Sequence, residues 1–294
     1  MRILLDSRDL INIVEHGRPV TADNFEAHLR ARNHEIVLSF TNVRELSSPL
    51  AAGVEFMRIR PYLQTLERMP HVCLKETTII PDEIRAAVTA FVEGAAYRSP
   101  SPYVPRWDHT LIVDPRRDHL STENWVDFRL DEIIYYINRA RPDVFAAPER
   151  HLPRLQTQLE NDRAQLRAGQ AAPRQHITRS IANHAATHRI TLPDGREDEF
   201  ARWVHANPDC CPGFRLNHEV YRALMANYGD VPEAADFSDL AHVSAVPYVD
   251  AATFDRRMRH YCSAASRKML CLGGAHSYSD RLYQDAADLM QRNP

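Results

Sequence analysis

Apolar positions along this chain follow two periods, and the changes between them mark its elements. Ile3 to Leu5 is a short apolar run ending at Asp6, the pattern of a buried strand; Leu10, Ile11 and Val14 follow at helical spacing up to Gly17. Glu35 to Phe40 reads as a second strand, and Thr41 can cap a helix through Val43, Glu45 and Leu46. A further helix is predicted over Val54 to Arg68, with Phe56, Ile59, Leu63 and Leu66 as its apolar face. Val72 to Leu74 suits a third strand, and Pro81 a helix start running to Gly94. Alternation of strand and helix predicts a parallel sheet with helices packed on it.

The pattern then changes. Ser99 to Pro105 is a proline-rich connector, and helical periodicity dominates afterwards: Trp125 to Arg139, Glu149 to Ala168, His176 to His188, Glu197 to His205 and His218 to Asn227. Leu155 to Gln165 is so polar that at least one face meets water or a polar partner. Strand character returns at Tyr248 to Thr253 and Met269 to Leu272, before a last helix over Asp280 to Gln291. The expected fold is α/β: a parallel sheet flanked by helices, built from residues 1–98 and 230–294 and interrupted by a mainly helical insertion, 99–229.

Composition narrows the classes. The 294 residues are 44% apolar and 26% charged, enough for a sizeable core, and no apolar run approaches a membrane span. An acid at position 6 interrupts any signal-peptide core, so a cytoplasmic protein without membrane contact is expected. A net charge of -3 argues against a basic nucleic-acid coat, although all but two of the 36 basic residues are arginines, which suit bidentate phosphate contacts. The five cysteines, with Cys210 and Cys211 adjacent, form no disulfide framework and are expected as thiols.

Acids at strand ends carry the clearest chemistry. Asp6 ends the first predicted strand, where open α/β sheets place their sites, and Glu45 lies one turn into the helix after the second. Asp236 and Asp239 share a helix face, and Asp250 and Asp255 bracket the late strand. Carboxylates gathered without lysine partners repel one another, and Mg²⁺ or Mn²⁺ resolves that repulsion while activating water against a phosphodiester. Each acid also has an ordinary structural role open to it: Asp6 and Asp236 as helix N-caps, Glu45 on a solvated face.

The order of these acids resembles that of the PIN-domain nucleases. Ile3-Leu4-Leu5-Asp6-Ser7 with Leu10-Ile11 is similar to the opening of that family, and Ser39-Phe40-Thr41-Asn42-Val43-Arg44-Glu45-Leu46 to its second motif. Asp239-Leu240-Ala241-His242, Pro247-Tyr248-Val249-Asp250 and Thr253-Phe254-Asp255 are similar to its closing motifs. The resemblance covers residues 1–50 and 235–272, and implies a PIN-like core with Asp6, Glu45, Asp239 and Asp255 as catalytic metal ligands and Thr253 as the hydroxyl beside them. Asp236, Asp250 and His242 would be accessory groups, and Arg256, Arg257 and Arg259, or a solvated helix face in their place, would follow the last acid as phosphate contacts. The departure is the 194-residue interval between Glu45 and Asp239.

The expected function is therefore metal-dependent phosphodiester hydrolysis with Mg²⁺ or Mn²⁺, on RNA in preference to DNA. A toxin-like ribonuclease would imply an antitoxin, and the insertion could be a lid, a protein-binding module or a homodimer interface. Two other classes compete: a PIN-like scaffold that binds RNA or protein without cutting, and a phosphohydrolase for small molecules with a closed pocket. Weaker signals are His184 and His188, which have zinc-helix spacing without the glutamate base, and Cys210-Cys211 with His205 and His218, a poor zinc set. Gly273-Gly274 reads as a turn.

Overall fold

The computed structural model describes residues 1–104, 129–140, 144–145, 147–168, 173–231 and 233–293. Four short segments form a parallel ladder: β1 (Arg2–Leu4), β2 (Glu35–Leu38), β3 (His71–Leu74) and β5 (Ala251–Thr253). Two edge strands complete it, β4 (Tyr103–Val104), antiparallel to β3, and β6 (Leu282–Tyr283), parallel to β5. The spatial order is β4-β3-β2-β1-β5-β6. Ile3 lies between Ile36 and Ala251, so β1 is central. The chain runs outward from β1 to β2 and β3, then returns to add β5 on the other side of β1. The order reverses there, and the crevice beyond the carboxyl ends of β1 and β5 is where open α/β sheets bind ligands.

Strand residues are buried on both faces and feed two cores, as parallel sheets require. Ile3, Leu5, Ile36 and Leu38 face one side. There they pack with α1 (Ser7–Ile11), α2 (Ala22–Ala31), α3 (Phe40–Leu46), α4 (Phe56–Arg68), α6 (Leu130–Ala140) and α13 (Ala286–Arg292). Leu4, Val37, Val72 and Leu74 face the other, against α10 (Pro212–Ala226), α11 (Ala234–Val243) and α12 (Arg256–Cys271). A third, smaller core joins α5 (Ile79–Glu93) to α8 (Pro173–His188) and α9 (Glu197–Ala206) through Ile84, Ile177, Ile181 and Phe200. One further helix, α7 (Ala147–Arg167), packs beside α11. The helical segment after β4 thus contributes α6 and α10 to the two faces of the sheet. No helix among the described residues is long and apolar enough to cross a membrane.

Several boundaries differ from the sequence reading. Met269 to Leu272 is not a strand: it closes α12, whose buried Met258, Tyr261, Cys262, Ala265 and Met269 keep helical spacing. The region Asp280 to Gln291 divides into β6 and α13, separated by the N-cap Asp285. Only Ala251–Thr253 of the predicted late strand joins the sheet, since Val246–Tyr248 forms a 3-10 turn. α2 was not predicted, although Thr21 caps it and Phe25 and Leu29 bury one face. Residues 125–128 of a predicted helix lie outside the described residues.

Candidate active site

The site is built from helix starts at the switch point. β1 ends at Leu4, and Asp6 caps α1 with Oδ1 accepting from the Arg8 amide at 2.8 Å. β5 ends at Thr253, and Asp255 caps α12 with Oδ1 accepting from the Met258 amide at 2.6 Å. The Asp6 amide donates to Thr253 Oγ1 at 2.8 Å, which ties the two strand ends together. Glu45 enters from α3, whose start is fixed by a reciprocal Ser39–Asn42 capping box. Asn42 Nδ2 also donates to Leu5 O and to Ser7 Oγ, both at 3.0 Å, so α3 is pinned to the end of β1. Asp239 comes from α11.

Asp6, Glu45, Asp239 and Asp255 all line one cleft of about 440 Å³, with Arg8 and Arg44. Burial, and then the negative charge of Asp6, Asp255, Glu45 and Asp236, pushes Asp239 up to about 8. Burial also raises Asp6, against the pull of its Arg8 amide bond. The chemistry of the donors suits a hard divalent cation: all four are carboxylates, and Asp6 and Asp255 each spend only one oxygen on a cap. Their spacing is open, since among the described residues no group of three or more His, Cys, Asp or Glu is gathered closely enough to hold a metal ion.

The structure separates the remaining sequence candidates. Thr253 is buried beneath the cleft, bonded to the Asp6 amide. Asp236 does not cap α11; Glu233 does, and Asp236 completes that cap and pairs with Arg257 at 2.5 Å. Arg257 also binds Asp230 at 3.0 Å, so two carboxylates hold it away from a phosphate role. Asp250 precedes β5, at the opposite end of the strand from the cleft, and accepts from the Arg2 amide at 2.7 Å. His242 is buried below the site, with Nε2 2.8 Å from Ser39 Oγ, and burial drives it down to about 3. It is a neutral tether between α3 and α11. Arg256 lines a second cavity of about 610 Å³ with Arg259, and this cavity shares Arg8 and Asn12 with the cleft.

Two buried acids were missed by the sequence reading. Asp9 is 4% exposed; burial raises its pKa to about 6, with the Thr253 hydroxyl opposing the rise, and its Oδ2 has no hydrogen-bond partner. Glu76 lies under α3, accepting from the Thr41 amide at 3.0 Å, and burial raises it too. Its other oxygen is 3.8 Å from His242 Nε2. The i, i+3 spacing of Asp6 and Asp9 is a signal for the first; nothing in the sequence around Glu76 marks the second.

The weaker candidates resolve into packing. His184 and His188 stack at 6.2 Å, with His184 against Phe214, and burial lowers His184 to about 4. Cys210 and Cys211 are buried free thiols, and Cys211 Sγ donates to the Glu83 carbonyl. Gly273, with φ 95°, ends α12 in a turn. Compared with known proteins, the chain matches no family model, no curated protein and no solved structure.

Proposed function

We propose that this protein is a metal-dependent nuclease with a PIN-like core that hydrolyses phosphodiester bonds, those of RNA in preference to DNA. The observation that carries the reading is the meeting of Asp6, Glu45, Asp239 and Asp255 in one cleft at the sheet's switch point, with Asp239 raised by the charge of the other three as well as by burial. These four would hold Mg²⁺ or Mn²⁺, which supplies counter-charge to phosphodiester oxygens and makes water more acidic. The chain's own contributions are positional. Thr253 fixes the Asp6 backbone, and Ser39, Asn42 and His242 fix α3 against α11. Arg8, Arg256 and Arg259 offer cations along the adjoining cavity for the phosphates that flank a scissile bond.

The test is cleavage of labelled single-stranded RNA and DNA with and without divalent metal, in wild type and Asp239→Asn. Metal-dependent cutting that the substitution abolishes supports the reading. A second reading, a scaffold that binds without cutting, is favoured by the open spacing of the carboxylates. Binding by both proteins with cutting by neither would establish it in place of the first.

A further inference from the structure

A cavity of about 510 Å³ lies between α7, α8 and α10, lined by residues that none of the preceding chemistry uses. Its size is that of a pocket for one small organic ligand. Two guanidinium groups line it, Arg154 from α7 and Arg179 from α8. Arg154 has no ion-pair partner among the described residues, and Arg179 spends one N–H on Gln165 Oε1 at 3.0 Å. The single carboxylate on the wall, Asp162, is already committed: its Oδ2 accepts from Tyr221 Oη at 2.9 Å and from Gln158 Nε2 at 3.0 Å. The wall therefore carries a surplus of positive charge and of hydrogen-bond donors.

Three flat rings also line it. His176 and Tyr221 are nearly parallel, with centroids 5.8 Å apart and 16° between planes, and the His218 ring is 4.9 Å from His176. Burial lowers the pKa of both histidines, so they are neutral rings rather than cations at physiological pH. His176 Nδ1 is buried with no hydrogen-bond partner, which is costly unless a ligand or water meets it. An anion alone would leave the rings unused, and an uncharged heterocycle would leave the arginines unused.

We infer that this cavity binds a 5′-mononucleotide, its phosphate held by Arg154 and Arg179 and its base set against the rings of His176 and Tyr221. The site is independent of the nuclease reading. It is nonetheless linked to the carboxylate cleft, because Asn217 on its wall donates to the carbonyl of Leu240, the residue after Asp239.

The experiment is isothermal titration of the full chain, in EDTA, with each of the four 5′-ribonucleoside monophosphates. Saturable one-site binding of at least one of them, with Kd below about 1 mM, is expected. The Arg154→Ala/Arg179→Ala double variant should weaken it by about tenfold or more; both side chains are exposed, so the core is untouched. Arg256→Ala/Arg259→Ala, in the other arginine-lined cavity, should bind as wild type does. The inference is overturned if no nucleotide binds saturably, if the Arg154/Arg179 variant binds normally, or if the Arg256/Arg259 variant is the one that loses affinity.

Discussion

Removing the charge of Asp239 should stabilise the metal-free protein, and by an amount that depends on pH. The usual carboxylate value of 3.8 rises to about 8 at this residue, first through burial and then through four neighbouring acids. An acid whose folded pKa is raised holds a proton in the folded state that the unfolded chain has already released. Stability contributed by that proton is complete below 3.8 and is lost as pH climbs through about 8. A rise of about four units at about 1.4 kcal/mol each sets a ceiling of about 6 kcal/mol. Asp239 is only partly buried by surface area, and water and salt in the cleft screen its repulsion, so about 2 kcal/mol is a realistic share. For a chain of this size that is roughly 4–8 °C in Tm.

The assay is urea unfolding of wild type and Asp239→Asn in EDTA, from pH 4 to pH 8.5. The two should have similar stability at the acid end and diverge steadily towards the alkaline end, with the variant the more stable. Taking the difference between them removes the parallel contributions of Asp9 and Glu83, whose pKa values are also raised by burial. Addition of Mg²⁺ at pH 8 should restore the wild type and leave the variant unchanged, since binding requires the ionised carboxylate. A stability difference that stays flat across this range would refute the electrostatic argument for the cleft, whatever the protein's activity.

The same geometry gives three further expectations. Asp6→Asn should reduce cleavage of single-stranded RNA by orders of magnitude while RNA binding, followed by fluorescence anisotropy, persists or tightens as repulsion falls. Arg256→Ala/Arg259→Ala should weaken RNA binding and flatten its salt dependence by about 0.7 log unit for each phosphate no longer neutralised, without moving the cleavage position. Glu83 is fully buried and accepts from the amides of Gly213 (2.7 Å) and Phe214 (2.8 Å) and from the Tyr248 hydroxyl. Glu83→Ala should therefore cost about 3 kcal/mol in urea unfolding, and Glu83→Gln, which keeps an acceptor, distinctly less.

Much of the sheet was legible because its pattern is local. Ile3 and Leu4 belong to opposite faces of one strand, and their shared apolar character is what a strand buried on both sides requires. Asp6 at the end of β1 and Glu45 one turn into α3 followed from the same reading. Short apolar runs were less informative: Met269 to Leu272 suits a strand or the end of a helix, and only the buried positions upstream in α12 decide it. Glu76 and Glu83 were invisible for a different reason. Each is a polar residue whose burial is set by elements distant in sequence: Thr41 for Glu76, and the start of α10 for Glu83.

The arginines after the last acid show how fine that dependence is. Arg256 and Arg259 are three apart in α12 and line one cavity, whereas Arg257, rotated by one residue, meets Asp230 and Asp236. The sequence groups Arg256, Arg257 and Arg259 by proximity, and helical phase sets Arg257 apart from the other two. Asp6 and Asp255 make the converse point. The choice between helix cap and site acid, open in the sequence for Asp6, is no choice for either residue, because one oxygen caps the helix that begins where the strand ends and the other is left to the cleft. Capping fixes each carboxylate at the switch point, so the local rule that positions these acids is also what brings them together.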